Sequence, residues 1–159
     1  MKLSNYLIIL ISIILGFCID TFINQFTVQL FIELNFGFLI FSYWIFAMPE
    51  RFHSFIPLIY GLVIDLFFST AIGFNMLFFV ATSYVIHLYV FRFRIFSYFQ
   101  LSVFFAGSSV VYIACKYLLL SPLNYSYILL IMSFLTNAIL WVGIYFVMRS
   151  FRRYIFQIT

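Results

Sequence analysis

Long apolar runs, separated by short clusters of polar residues, occupy almost the whole chain. A helix needs about 20 apolar residues to cross the hydrocarbon layer of a bilayer. The runs therefore predict six transmembrane helices, which cover about residues 3–22, 29–48, 52–68, 74–91, 98–120 and 125–148. Because the links between them are short, we expect residues 1–159 to form a single transmembrane domain.

The composition agrees with this pattern. Hydrophobic residues make up 67% of the chain and charged residues only 8%, whereas a soluble domain carries about 25% charged residues. Because the chain has too few polar residues to cover the surface of a soluble protein, the bilayer must surround most of its side chains. The predicted fold class is an all-α integral membrane protein, because helices satisfy their own backbone hydrogen bonds in lipid.

The formal net charge of +4 does not indicate nucleic acid binding, since the basic residues lie at the ends of the apolar runs. If the N-terminus is cytoplasmic, six spans place seven of the eight basic residues on the cytoplasmic side: Lys2, Arg51, Arg92, Arg94, Arg149, Arg152 and Arg153. The positive-inside rule favours this orientation. We therefore expect both termini in the cytoplasm.

Asp65 is an ionisable residue inside a predicted span, a position where charge is costly and often functional. Pro57, Gly61, Asp65 and Ser69 recur every four residues and share one helix face. Small residues on that face would allow close approach of another helix or form one wall of a polar cavity. Alternatively, Asp65 reaches the outer interface or caps the turn that ends at Gly73.

Other polar residues suggest contacts between helices. Lys116 lies at the predicted depth of Asp65 and Asp20, so we hypothesise an ion pair with one of them, Asp65 in particular. The alternative is a lysine that reaches the membrane surface alone. Asn137 falls near mid-membrane and is predicted to hydrogen-bond across helices. Gly73 lies in a turn where a positive φ is expected.

Residue patterns typical of catalysis are missing from the sequence. It contains no glycine-rich phosphate loop, no nucleophile elbow and no ligand cluster with metal-site spacing. Its four carboxylates are scattered, which disfavours a paired general acid and base. We therefore expect a protein that is not an enzyme and that needs no cofactor or metal.

Several motifs resemble the family of the bacterial rod shape-determining protein MreD. The matching segments, over roughly residues 36–155, are YWIFAMPER (43–51), GLVIDL (61–66) followed by Gly73, NAILW (137–141) and RSFRR (149–153). They are similar to the end of that family's second helix, its third helix and following turn, and its last helix and basic tail. Span count and chain length also agree.

The resemblance implies a partner-dependent role in the bacterial inner (cytoplasmic) membrane. Members of the family bind MreC and act with MreB, RodA and a class B penicillin-binding transpeptidase in lateral peptidoglycan synthesis, which maintains rod cell shape. The family is also similar in helix arrangement to the substrate-binding subunits of energy-coupling factor transporters. A membrane-embedded subunit that binds a small molecule or lipid is therefore the alternative function.

Six residues are expected to matter for structure or partner binding, and none is expected to be catalytic. Pro49 and Arg51 would shape the inner turn, and Gly61 and Asp65 would form the docking or cavity face. Gly73 would permit the outer turn. The sixth is Asn137, which would tie the last helix to its neighbours.

Overall fold

The computed structural model describes residues 3–52, 55–68, 71–93, 95–122 and 126–156. Lys2, Ser69 and Arg94, which entered the predictions above, lie outside these ranges. The described chain is all-helical, as predicted, and contains six α-helices: α1 (Leu3–Thr27), α2 (Phe36–Ala47), α3 (Phe55–Phe68), α4 (Phe74–Phe93), α5 (Tyr98–Leu120) and α6 (Tyr127–Phe156). Two short 3-10 helices, Val28–Leu30 and Pro49–Arg51, flank α2.

Four of these helices are long and apolar enough to cross a membrane, namely α1, α4, α5 and α6. The other two are apolar but shorter, with 12 residues in α2 and 14 in α3. Since a straight span needs about 20 residues, the structure supports a multi-pass membrane protein with four full-length candidate spans.

The first two predicted spans have different boundaries in the structure. α1 continues to Thr27, beyond the predicted end near residue 22, and the predicted span 29–48 is α-helical only over Phe36–Ala47. The polar residues Asp20 and Asn24 lie within α1, where their side chains hydrogen-bond to residues that follow the helix. Polarity alone therefore misplaced the boundary.

Helix α2 lies at the centre of the bundle. It packs against α1, α4, α5 and α6, and the side chains of Phe38, Phe41 and Trp44 are at most 1% exposed. Phe41 stacks on Phe79 of α4 with ring centroids 3.7 Å apart. A helix that is apolar on every side is expected in such a buried position.

The outer faces of the long helices carry large apolar side chains. Phe91 and Ile139, for example, are 77% and 76% exposed. A soluble monomer rarely exposes extended apolar surface, so lipid is the medium that suits this exterior.

The two ends of the bundle differ in chemistry. At one end, here called the arginine end, α2 and α4 end close to Arg51 and Arg92, and Arg152 lies near the end of α6. Arg152 Nη1 donates a hydrogen bond of 3.0 Å to the carbonyl oxygen of Ala47, which terminates α2. At the other end of the bundle, here called the polar end, helices α1, α3 and α5 end and helices α2, α4 and α6 begin.

Candidate functional site

Asp65 caps helix α4 at the polar end. Its carboxylate accepts backbone N–H bonds from Gly73 (2.8 Å), Asn75 (3.0 Å) and Met76 (3.3 Å). The side-chain amide of Asn75 donates a fourth bond of 2.9 Å. Negative charge is favourable at a helix N-terminus, where the first N–H groups lack intrahelical partners. The capping interpretation of this residue therefore has direct geometric support.

Gly61 lies one turn before Asp65 and marks the closest contact between α3 and α4. A Cβ at this position would lie 2.4 Å from Cα of Met76. Small residues on this face do let a helix approach, as expected, but that helix is α4 of the same chain. Gly61 and Asp65 consequently do not present this face to a partner protein.

Gly73 begins the turn into α4 with φ of +100°, which confirms the expected positive φ. Residues with a Cβ rarely adopt this conformation. It directs the N–H of Gly73 towards Asp65, so the glycine and the aspartate act together.

Asp20 caps helix α2 in the same way. Its carboxylate accepts N–H bonds from Phe36 at 2.6 Å and Gly37 at 2.9 Å. One turn earlier, a Cβ on Gly16 would lie 2.8 Å from Cα of Gly37. The motif G-x-x-x-D therefore occurs twice, at 16–20 and 61–65, and each copy joins a helix to the next. The repetition is visible in the sequence, although the prediction above concerns only the second copy.

Residues 28–35, here called the α1–α2 segment, connect these two helices without α-helical structure. Phe31 has φ of 58°, an uncommon conformation for a bulky residue, and residues 32–35 form no regular secondary structure. Asn24 binds the segment from α1: its amide accepts the N–H of Leu34 at 2.9 Å and donates to the carbonyl of Leu34 at 2.8 Å. Side chains thus supply the hydrogen bonds that a helix would provide.

Helix α6 binds the same segment from the other side. Ser133 Oγ accepts the N–H of Glu33 at 2.8 Å. Asn137, which is fully buried, donates to the carbonyl of Glu33 at 2.9 Å and accepts the N–H of Asn35 at 3.1 Å. The predicted tie between Asn137 and its neighbours is therefore present, but it is made to non-helical backbone.

Lys116 forms an ion pair with Glu33, at 2.7 Å between Nζ and Oε1. The predicted pair between Lys116 and Asp65 is therefore wrong, and so is the alternative pair with Asp20. Both aspartates already use their carboxylates to cap helices. Glu33 was expected to lie in a helix, whereas the α1–α2 segment brings it towards Lys116.

A cavity of about 620 Å³ lies beside this ion pair. Its lining includes Phe17, Asp20, Asn24, Glu33, Asn35, Phe68, Phe74, Asn75, Tyr112, Lys116, Tyr117 and Leu120. Two buried polar atoms on residues that line it, Glu33 Oε2 and Asn35 Nδ2, have no hydrogen-bond partner in the described part of the chain. Buried polar atoms are nearly always paired in proteins, so we regard this polar pocket as a candidate binding site.

Hydrogen bonds connect Asp65, which caps α4, to the wall of the polar pocket. Tyr112 donates a hydrogen bond of 2.6 Å to the side-chain oxygen of Asn75, whose amide binds Asp65. Within the described ranges, no group of three or more His, Cys, Asp or Glu side chains could hold a metal ion. The arrangement is suited to holding a polar ligand by hydrogen bonds and charge.

A second surface is an apolar groove of about 830 Å³ along α3 and α4. Its lining is Phe52, Leu58, Gly73, Met76, Leu77, Val80, Ala81, Ser83, Tyr84 and His87. His87 Nε2 lies 2.8 Å from the carbonyl oxygen of Pro49 and so ties α4 to the turn that contains Arg51. The groove therefore ends beside two further residues selected from the sequence.

Comparisons with known proteins do not assign the chain to a family. No family model matches the sequence, and no curated protein or solved structure matches it either.

Proposed function

We propose that this protein is a non-catalytic membrane scaffold of the MreD type. It would bind MreC and help to regulate lateral peptidoglycan synthesis and rod cell shape, in a complex with MreB, RodA and a class B penicillin-binding transpeptidase. The motif order supports the family. The observation that carries the scaffold role is the groove along α3 and α4, which is open at the lipid-facing surface.

The groove has the properties of a surface that receives a transmembrane helix. Small residues, among them Gly73, Ala81 and Ser83, line it together with larger apolar side chains. In lipid, helices associate through close packing at small residues and through hydrogen bonds between polar side chains. We propose that the transmembrane helix of MreC occupies this groove.

In the proposed arrangement, the chain crosses the bacterial inner membrane six times, with the arginine end and both termini in the cytoplasm. Helix α2 alone is about 18 Å long at 1.5 Å per residue, and the α1–α2 segment supplies the rest of that pass. Non-helical backbone is tolerated at membrane depth when it is buried in protein. Glu33 and Asn35 meet this condition, at 4% and 3% exposure.

Cysteine labelling tests the orientation. In a Cys18→Ser, Cys115→Ser background, a membrane-impermeant maleimide should label Ser121→Cys in intact spheroplasts and Ser150→Cys only after permeabilisation. Ser121 lies at the polar end, and Ser150 is exposed near the end of α6. Labelling in the opposite order would overturn the orientation.

Co-purification in mild detergent tests the partner. Ala81→Leu, which fills the groove, should reduce recovery of MreC by about tenfold, as a loss of some 1.4 kcal/mol in binding would do. Gly143→Leu is the matched control because it fills an apolar groove beside α6 where a Cβ would meet nothing within 4 Å. Equal recovery of MreC with both variants would contradict the assigned surface.

Cell shape tests the role itself. Depletion of the protein should round rod-shaped cells, and both the wild type and Gly143→Leu should restore the rod. Ala81→Leu should fail to do so at equal expression. Rods that persist after depletion would contradict the scaffold function.

A further inference from the structure

We propose that the polar pocket binds the primary ammonium group of an amphipathic molecule, and that this ammonium replaces Lys116 as the partner of Glu33. The inference is independent of the scaffold role, since the pocket lies at the polar end and the proposed MreC groove lies along α3 and α4. It rests on the charges, the unpaired atoms and the walls of the pocket.

The charges favour a cation. The charged side chains that line the pocket in the described chain are Asp20, Glu33 and Lys116. Asp20 already uses its carboxylate to cap α2, so Glu33 supplies the carboxylate that is open to a ligand. Glu33 offers a second oxygen, Oε2, that has no hydrogen-bond partner within the described part of the chain. The Tyr117 hydroxyl, on the same wall of the pocket, also interacts with this carboxylate. A carboxylate with a vacant oxygen in a site of low dielectric attracts a hydrogen-bonding cation.

The ammonium group of Lys116 can occupy the cation position when no ligand is bound and can be displaced by the ligand. Its ammonium contacts Glu33, yet its side chain is 43% exposed whereas that of Glu33 is 5% exposed. A lysine side chain has four rotatable carbon segments and is readily hydrated at a membrane interface. It can therefore swing towards water and leave both carboxylate oxygens to a ligand.

Asn35 adds a requirement for a hydrogen-bond acceptor in the ligand. Its side-chain amide nitrogen is buried and has no hydrogen-bond partner among the residues that the structure describes, while its backbone N–H donates to Asn137. An oxygen of a phosphate or carboxylate close to the ammonium group would accept this donor. The ligand head is therefore an amine that also carries an acidic or ester oxygen.

The walls and depth of the pocket indicate an apolar body attached to that head. Phe17, Phe68 and Phe74 line it, and Lys116 lies four residues before the end of α5, which is about 6 Å along the helix axis. If α5 ends at the membrane surface, this distance places Lys116 among the lipid head groups. The same chemistry could come from an aminophospholipid of the bilayer or from a soluble amino phosphate.

The experiment compares two lipids that differ in the ammonium group. The full chain is reconstituted in nanodiscs of phosphatidylcholine with graded phosphatidylethanolamine, and the retained lipid is measured by native mass spectrometry. Phosphatidylcholine has the same head-group charge but no N–H donor. We expect preferential retention of phosphatidylethanolamine, reduced about tenfold to hundredfold by Glu33→Gln. Glu50→Gln, an exposed carboxylate at the arginine end, is the matched control and should not change retention.

Lys116→Gln separates this inference from a merely structural ion pair. Removal of the competing ammonium should strengthen retention of phosphatidylethanolamine, whereas a structural pair would weaken it or leave it unchanged. This variant keeps Glu33 intact and so decides the question even if Glu33→Gln does not fold.

A second arm identifies the source of the amine. Soluble phosphoethanolamine is added to the protein in nanodiscs of phosphatidylcholine alone, and thermal stability is measured. A rise in stability for the wild type but not for Glu33→Gln would support the site and identify a soluble ligand. Equal retention of both lipids, together with no effect of phosphoethanolamine, would overturn the proposal.

Discussion

In the first two helical hairpins, α1–α2 and α3–α4, the same motif, G-x-x-x-D, joins one helix to the next. In each, a glycine allows the second helix to approach, and an aspartate one turn later caps that helix. Asp65 receives three backbone N–H bonds and one side-chain bond, whereas Asp20 receives two backbone bonds. The motif therefore serves as a joint between consecutive helices.

The hairpins differ in the connection between their helices. Gly73 starts the next helix soon after α3, whereas eight residues of non-α-helical backbone separate α1 from α2. The longer connection needs Asn24, Ser133 and Asn137 to satisfy its backbone. It also contains two buried side-chain atoms, Glu33 Oε2 and Asn35 Nδ2, that have no hydrogen-bond partner in the described ranges. Residues of both joints line the polar pocket, but these two atoms come from the longer connection.

The largest expected effect is the loss of a cap. Asp65→Ala leaves four donors, two of them buried and two part-buried, without their acceptor. It should lower the free energy of unfolding by about 4 kcal/mol, since each stranded donor costs about 1–3 kcal/mol. Asp20→Ala strands two and should cost about 2 kcal/mol. Chemical unfolding in micelles measures both. A larger loss for Asp20→Ala would break the comparison.

The next effect is steric. Gly61→Ala places a Cβ against the backbone of Met76, and overpacking a tight contact forces backbone shifts. The substitution should therefore lower the free energy of unfolding by about 3 kcal/mol. Gly16→Ala should lower it by less. Gly143→Ala is the control and should stabilise the chain by up to about 1 kcal/mol through helix propensity. The same unfolding assay measures all three variants. Equal stabilities would show that the close approaches are unimportant.

A smaller loss of stability is expected when the side chains that hydrogen-bond to the α1–α2 segment are removed, and its size should differ between α6 and α1. Asn137→Ala removes two buried bonds to its backbone and should cost about 2 kcal/mol. Asn24→Ala removes two part-buried bonds to the same segment and should cost about 1 kcal/mol. Thermal unfolding of the two variants in nanodiscs gives the order, and the reverse order would place the segment's main support on α1.

The smallest expected effect concerns the pocket itself. Glu33→Gln should lower the free energy of unfolding by at most about 1 kcal/mol, because Gln keeps the shape of the side chain and an acceptor oxygen, and Lys116, whose side chain is 43% exposed, can turn to water. Differential scanning calorimetry without added amine measures it. A loss as large as that of Asp65→Ala would mean that Glu33 is structural.

The sequence was sufficient for features that depend on local spacing. Apolar run length predicted the all-helical fold and residues 98–120 of α5, and the four-residue spacing of Gly61 and Asp65 placed them on one buried face. Gly73 follows from the need for a turn with positive φ. These predictions require only helix geometry and the dimensions of a bilayer.

The polar pocket could not be predicted in this way because its contacts join residues far apart in the chain. Asn137 lies about a hundred residues from Glu33 and Asn35, and Lys116 lies 83 residues from Glu33. Helical periodicity also misassigned the α1–α2 segment, since its apolar residues fit a helix. Only the tertiary structure shows that side chains replace its missing backbone bonds.

The most direct test is hydrogen–deuterium exchange of the wild type in nanodiscs, because the central claim is that residues 33–35 of the α1–α2 segment are hydrogen-bonded to side chains of α1 and α6, with Glu33 and Asn35 buried. Backbone amides of Glu33, Leu34 and Asn35 should exchange slowly, on the timescale of the helical amides of α2. In Asn137→Ala, exchange at Asn35 should accelerate while Phe36 and Gly37, held by Asp20, stay protected. Rapid exchange of all three segment amides in the wild type would contradict the account.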